Sequence, residues 1–263
     1  MGIVKKVRRR IRRYVQERNL TKQDVLFASF PKCGNTFCRF VIAHQINLKY
    51  DLSLEIDFGS IKRLAPALGS PSAGEHWPFE FPRFLKTHKV FINPFKKAGA
   101  SVYIMRDPRD VMISYYHWMQ AHKKVRYTGS LREFIMEPLY GIEAYMKHIA
   151  SWEHHWHTLF KYEELMTNGV QLFDNLFKEL EIENIDPELI KSSVNLSLPE
   201  KIKKVEEQRG NEVRDELLDE EFRHVRSGKL NQWKDVMTDN ELVVIEELSD
   251  QFFDRYGYDL AER

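Results

Sequence analysis

The chain has 263 residues, 43% apolar and 30% charged, with a formal net charge of +1 at neutral pH. That composition belongs to a folded chain with a sizeable core, and it excludes a disordered segment, a collagen-like fibre and a disulfide-stapled mini-protein. The near-neutral total conceals a basic arm: residues 1–22 carry nine Lys or Arg against Glu17 alone, so the arm is +8 and the remainder −7, with no basic surface in the body of the extent that nucleic acids need.

Within the arm, Ile3, Val7, Ile11 and Tyr14 or Val15 recur at helical spacing between basic residues, which predicts a short amphipathic helix. Such a helix docks its apolar stripe on the body, lies on an anionic membrane surface or binds RNA, and these readings all stand at this point. Lys6 occupies the place where a myristoylation signal beginning Met1-Gly2 has Ser or Thr, so no lipid anchor is expected. No apolar run approaches the ~18 residues of a membrane span, and no apolar stretch follows the basic start as a secretory signal requires. The two cysteines, Cys33 and Cys38, share one short segment, a usage that fits a reducing, cytoplasmic setting.

From residue 24 short apolar runs alternate with helical stretches. Residues 24–30 read as a buried strand, ended by Pro31 and Gly34, and a helix follows from Thr36 to Leu48. Residues 51–80, with Gly, Pro and Ser clusters, read as a loop-rich insertion. Residues 83–87 and 101–105 are further strands, the second leading into a helix from Arg109 to Ala121. A fourth strand, 158–162, precedes a helix from Val170 to Leu180, residues 199–225 are highly charged, and Glu241 to Tyr256 reads as one closing amphipathic helix. The alternation predicts a single α/β domain with a central parallel sheet flanked by helices. The boundaries are 1–22 for the arm and 23–263 for the domain.

Chemistry concentrates where predicted strands end. Pro31-Lys32-Cys33-Gly34-Asn35-Thr36-Phe37 is a strand, a glycine turn with a lysine, and a helix N-terminus, the parts of a phosphate cradle. It lacks the GxxxxGK spacing of a Walker loop. Lys86-Thr87-His88 ends the next strand. Arg106-Asp107-Pro108-Arg109-Asp110 ends the following one, with Ser114 two turns into the helix, so Arg106 and Ser114 are placed to grip a second phosphate. Arg226-Ser227-Gly228, shortly before Trp233-Lys234, adds a basic loop. No Asp stands between the two anion sites like a magnesium ligand, and Glu153-His154-His155-Trp156-His157 has no neighbouring cluster to complete a metal set.

These segments resemble the sulfotransferases that use 3′-phosphoadenosine 5′-phosphosulfate (PAPS). The resemblance runs from about residue 24 to the C-terminus and leaves only the arm uncovered. Its 5′-phosphosulfate loop resembles residues 31–37, its 3′-phosphate motif residues 106–117, and its C-terminal loop residues 226–234. The resemblance implies a fold like that of P-loop kinases and transfer of sulfonate from PAPS to a hydroxyl or amine, releasing PAP without a metal. In that scheme His88 is the general base, Lys32 neutralises charge on the leaving phosphate, and Lys86 holds the transferring sulfonate. Arg106, Ser114, Arg226 and Gly228 hold the 3′-phosphate. Cys33, Gly34, Asn35 and Thr36 belong to the loop, Phe37 stands where a ring stacks on adenine, Tyr162 resembles a tyrosine that contacts the nucleotide, and Ser197 and Leu198 align near the base.

Departures from the family pattern are specific. Cys33 replaces Ser, Phe37 replaces Trp, and Ser227 replaces Lys, which removes one charge from the 3′-phosphate site. Lys234 and Thr238 resemble the family's dimer motif, but the residues after them do not follow it, so dimerisation is not predicted. The acceptor, whether glycan, lipid or small molecule, has no readable code. A magnesium-dependent kinase on the same fold is the rival enzyme, and a non-catalytic membrane- or RNA-binding protein working through residues 1–22 is the rival of another class.

Overall fold

Val25, Leu26, Phe27 and Ala28 form an apolar run without polar alternation, the pattern of a strand covered on both faces, and all of them are buried. The computed structural model describes residues 2–209, 219, 223, 228–249 and 251–259. In chain order it contains α1 (Gly2–Arg18), β1 (Asp24–Ala28), α2 (Asn35–Lys49), α3 (Ile61–Leu64), β2 (Arg83–Thr87), β3 (Ala100–Met105) and α4 (Pro108–Gln120). Then follow α5 (Leu131–Ile135), α6 (Ile142–Trp152), β4 (Thr158–Lys161), α7 (Tyr162–Glu179), α8 (Pro187–Leu196), α9 (Pro199–Arg209), α10 (Trp233–Val236), α11 (Asp239–Leu248) and α12 (Phe252–Tyr256). The four strands make one parallel sheet in the order β2-β1-β3-β4. Parallel pairing requires every connection to cross back over the sheet, so all four strands deliver their C-terminal ends to the same edge.

The core is a single apolar cluster that includes aromatic contacts such as Phe27–Phe84 at 4.8 Å, Phe81–Phe177 at 5.6 Å and Phe160–Phe173 at 5.5 Å. Trp77, Phe79, Phe81 and Phe84 belong to this packing, and the Trp77 indole N–H donates to the Phe81 carbonyl at 2.6 Å. A smaller cluster of Ile113, Trp233 and Leu242 fastens α10 and α11 to α4. Arg39 holds the loop-rich insertion to α2 by donating to the carbonyls of Ala65 (2.6 Å) and Ile61 (2.9 Å), and its burial lowers its pKa to about 10.

Two predicted helices differ from their observed form. The one expected from Val170 begins at Tyr162 and bends at Asn168, whose φ of −125° is not helical. Asn168-Gly169 reads as a breaker by propensity, but Gly169 is where α8 comes close: a Cβ there would stand 3.2 Å from Val194. The single closing helix is two, α11 ending at Leu248 and α12 starting at Phe252.

The arm is helical as its periodicity predicts, with an unexpected orientation. Val7, Ile11, Tyr14 and Val15 are exposed, at 46%, 59%, 56% and 47%. Polar side chains fix the opposite face: Gln16 accepts from the Gly69 N–H (2.6 Å) and donates to the Ser70 carbonyl (2.8 Å), and the buried Glu17 carboxylate pairs with Lys89 at 2.9 Å. These bonds turn the basic side of α1 toward the body and the apolar stripe outward.

Candidate active site

Beyond β1 the backbone turns through Lys32 at φ 72° and Gly34 at φ 98°, both left-handed. Glycine is required at the second: a Cβ on Gly34 would lie 2.3 Å from the Tyr162 ring. The turn opens directly into α2, whose first N–H groups have no intrahelical acceptor and carry the positive end of its dipole. Asn35 Nδ2 donates back to the Phe27 carbonyl (3.1 Å) and to Ser29 Oγ (3.2 Å), locking the loop to the strand end. The Cys33 side chain points away from the opening. It is fully buried, contacts Tyr145 Oη at 3.6 Å, and burial pushes its thiol pKa up to about 12, so any pull from the helix N-terminus is outweighed.

At the end of β2, His88 Nδ1 lies 2.7 Å from the Ser29 carbonyl oxygen. A carbonyl only accepts, so Nδ1 carries the proton and Nε2 is left with its lone pair. The imidazole is exposed to the cavity yet crowded by its walls. Desolvation there, and then the charge of Lys86, hold its pKa well below 6.5. Lys86 is half-buried, and its pKa is lowered to about 7, first by burial and then by the charges of Arg39, Lys32 and Arg9.

The end of β3 supplies Arg106, buried at 6% exposure. Its guanidinium donates to Asp110 at 2.9 Å, one helical turn later, and stands 4.5 Å above the Tyr162 ring, which begins α7 after β4. The Asp110 carboxylate also accepts the N–H groups of Asn231 (3.1 Å) and Trp233 (3.2 Å), so one acid fixes both Arg106 and the C-terminal loop. Desolvation, partly offset by Arg106, raises the Asp110 pKa. Tyr145 Oη accepts from the Arg106 N–H (3.0 Å) and donates to its carbonyl (2.7 Å), bracing the strand end from α6. Asp107 and Arg109 pair with each other at 2.7 Å, and Arg109 stacks on Trp233 at 3.8 Å, a structural use of the motif's second arginine.

One cavity of about 400 Å³ collects these groups at the C-terminal edge of the sheet. Lys32, Gly34, Asn35, Thr36, Phe37, Lys86, His88, Arg106, Ser114, Tyr162 and Gly228 all line it. Gly228, at φ 66°, approaches Pro199 so closely that a Cβ would stand 2.4 Å from it. Phe37 touches the cavity at 4% exposure, with its ring turned in toward Phe173. Ser197 and Leu198 stand outside it. The Ser197 hydroxyl is buried and donates to the Ser193 carbonyl at 2.7 Å, while Pro199 and Ile202 line the wall instead. Arg226 and Ser227 lie outside the described residues.

The wall further contains Arg9, Tyr115, His117 and Trp118. The 3.6 periodicity of α4 from Ser114 signals the last two, but nothing in the sequence aligns Arg9 with the site. Asp110 and Tyr145 are structural partners that sequence reading passes over, although the i, i+4 spacing of Arg106 and Asp110 is legible afterwards. The histidine-rich segment has other work: His155 stacks on Phe91 at 3.7 Å, and His157 Nδ1 accepts the Ser101 N–H at 3.1 Å.

Chemically, the cavity offers two cationic poles, one of Lys32 and Lys86 and one of Arg106, together with a neutral imidazole of defined tautomer. That set suits a doubly anionic ligand and proton removal from a nucleophile.

Comparison with known proteins agrees with this arrangement. A family model described as the sulfotransferase domain matches residues 22–257. Sulfotransferase 4A1 of Mus musculus is 25% identical over 228 residues, covering 82% of this chain and 75% of that one. Luciferin sulfotransferase of Photinus pyralis is 24% identical over 266 residues, covering 85% and 70%. Among solved structures, retinol dehydratase in complex with androsterone and the inactive cofactor PAP superimposes with a TM-score of 0.67 at 18% identity, over 90% of this chain and 84% of that one. Mouse sulfotransferase SULT7A1 complexed with PAP gives 0.62 at 18% identity, over 90% and 87%.

Because Gly34 combines a positive φ with contact against Tyr162, Gly34→Ala is expected to cost about 2 kcal/mol of stability, the scale of one strained residue. A urea titration reads this as a lower midpoint at unchanged slope. An unchanged midpoint would show that Tyr162 is not packed on the loop.

Proposed function

The chain belongs to the sulfotransferase domain family, and on that premise we propose that it transfers the sulfonate group of PAPS to a hydroxyl or amine of a small-molecule acceptor, releasing PAP. The observation that carries this reading is the assembly of Lys32, Lys86, His88 and Arg106 in one cavity, from the ends of three neighbouring strands. The residues present fit such a nucleotide. Among the described residues Arg106 Nε is buried without a hydrogen-bond partner, and the space over Gly34 is space that a Cβ would take.

When bound, PAPS supplies the sulfonate and a good leaving group. The chain's part is positioning and charge. Arg106, Ser114 and Gly228 hold the 3′-phosphate, joined by Arg226 and Ser227. Tyr162, beneath Arg106, and Phe37 contact the nucleoside. The N–H groups of residues 34–36 and Lys32 bind the 5′-phosphate, and Lys32 neutralises the charge that grows on it. Lys86 holds the sulfonate. His88 Nε2 accepts the acceptor's proton as the new bond to sulfur forms and the bond from sulfur to the phosphate oxygen breaks; the Ser29 carbonyl stabilises the imidazolium that results. Lys32, Lys86 and Arg106 together supply the positive charge that divalent ions supply in phosphoryl transfer, so the reaction proposed needs no metal. Tyr115 and Trp118 form the apolar wall for the acceptor.

The outward stripe of α1 carries a second assignment. Val7, Ile11 and Val15, flanked by exposed Lys6, Arg10 and Arg18, would lie against an anionic membrane from the cytoplasmic side. Among the described residues no helix is long and apolar enough to cross one. Ile11→Ser/Val15→Ser is expected to abolish co-sedimentation with phosphatidylserine vesicles, and equal pelleting of the parent and variant would remove the assignment.

A thermal-shift series tests the main reading. PAP is expected to raise the melting temperature well above ADP, since saturation at ~100 Kd adds about 2.7 kcal/mol. A larger shift from ATP with magnesium would favour phosphoryl transfer instead. His88→Ala should keep the PAP shift and lose roughly 10²–10⁴-fold in turnover, the worth of a positioned base; retained turnover would unseat His88.

Lys86 gives a pH signature. With a free-state pKa of about 7, it is largely neutral at pH 8, and an anion bound against it raises that value. Binding of PAPS at pH 8 is expected to take up about one proton, falling to none near pH 6, where Lys86 is already charged. Calorimetry in two buffers of different ionisation enthalpy measures the uptake. Its absence at pH 8 would separate Lys86 from the sulfonate.

A further inference from the structure

A second cavity, of about 460 Å³, lies beside the first, lined by Arg8, Arg9 and Arg12 of α1 and by residues 67–71. Arg9 is common to the two linings, so it stands between the two spaces.

The position of these arginines is set by a continuous run of hydrogen bonds that begins at the site itself. The Lys86 N–H donates to the Pro66 carbonyl (2.9 Å) and the Leu68 N–H to the Lys86 carbonyl (2.9 Å), so the stretch from 66 to 68 rides on the end of β2. The next two residues, Gly69 and Ser70, hold Gln16 of α1 at 2.6 and 2.8 Å. Gly69 adopts φ 90°, and a Cβ there would stand 2.9 Å from Arg13 Nε, which seats α1 close against the loop. On the other flank Glu17 is paired with Lys89, the neighbour of His88. One and two turns before these anchors, the helical repeat of 5.4 Å brings Arg12, Arg9 and Arg8 over the openings.

Among the described residues no carboxylate pairs with Arg8, Arg9 or Arg12. The charge of Arg9 is felt at Lys86, where it adds to those of Arg39 and Lys32. Three guanidiniums gathered along one wall repel each other, and an anion resting on them relieves that repulsion. The anions of the donor already have Lys32 and Arg106. The extra wall adjoins the end of β2 through residues 66–68, which bond to Lys86, two residues before His88, and its three arginines precede the segment matched by the family, which begins at residue 22.

Resting on the sulfotransferase reading above, we infer that α1 builds an anion subsite at the acceptor end of the cavity, in which Arg9, backed by Arg8 and Arg12, selects acceptors that carry a carboxylate, sulfate or phosphate apart from the nucleophilic hydroxyl. The guanidinium is suited to this, because its planar donors match such oxyanions in pairs.

The test uses the full chain saturated with PAP and three phenols of one shape: 4-hydroxyphenylacetate, tyrosol and tyramine, whose side chains end in an anion, a neutral hydroxyl and a cation. Calorimetry is expected to show the anion binding about tenfold more tightly than tyrosol, the factor worth 1.4 kcal/mol, and tyramine more weakly still. In Arg9→Gln/Arg12→Gln the three should converge to within about threefold while the PAP affinity holds. Tyrosol with free acetate, the same groups unlinked, should not reproduce the gain. Equal binding of the three phenols, no binding of the anion, a gain from free acetate, or a variant that loses PAP affinity in step would each overturn the subsite. Failure of the parent chain to bind PAP at all would instead fall on the sulfotransferase reading, and that is measured first in the same cell.

Discussion

The buried carboxylate of Asp110 is the interaction on which the site depends. It receives Arg106 from the end of β3 and two backbone N–H groups from the C-terminal loop, so a residue inside α4 joins the middle of the chain to its last fifth. A buried pair of this kind contributes little net stability, because desolvating both charges offsets their attraction, whereas removing one partner leaves a costly orphan. Its value is geometric. Asp110 holds the Arg106 guanidinium, whose Nε is buried with no hydrogen-bond partner among the described residues, and Tyr145 clamps its peptide from behind.

The same logic extends across the cavity. The pKa of Lys86 is lowered to about 7 first by burial and then by the charges of Arg39, Lys32 and Arg9, which all reach it. Gathering like charges around a half-buried lysine costs stability in the free protein, the exchange expected where a site is built in advance for its ligand. His88 is kept neutral and able to accept a proton chiefly by the desolvation of its imidazole, to which the charge of Lys86 adds.

Much of this was legible in the residues. The four strands and the parallel sheet follow from apolar runs separated by helical stretches, and the site loops follow from Gly34, Lys86-Thr87-His88 and the Arg106–Ser114 spacing. What stayed hidden were effects of tertiary packing. The early start of α7 is concealed by Asn168-Gly169, which does bend the helix at Asn168, while the first turns from Tyr162 to Thr167 form before the bend. The alignment of Ser197 and Leu198 with the base fails by a step of one helix: Ser197 caps α8 inward, and the wall is taken by Pro199 and Ile202 from α9. The arm is the clearest case. Its heptad-like apolar stripe predicts which residues share a face, but only Gln16 and Glu17, two polar residues with partners far along the chain, decide which face turns inward.

The dependence of Arg106 on Asn231 and Trp233, and of Gly228 on Pro199, has a consequence for biosynthesis. Every strand of the sheet is complete once Lys161 has been made, and a ribosome-bound chain of that length already owns the phosphate loop, His88 and Arg106. It does not own the loop that holds Arg106 in place or roofs the cavity. A chain that ends before Asn231, however well its sheet folds, therefore lacks the contacts that fix Asp110 and, through it, Arg106.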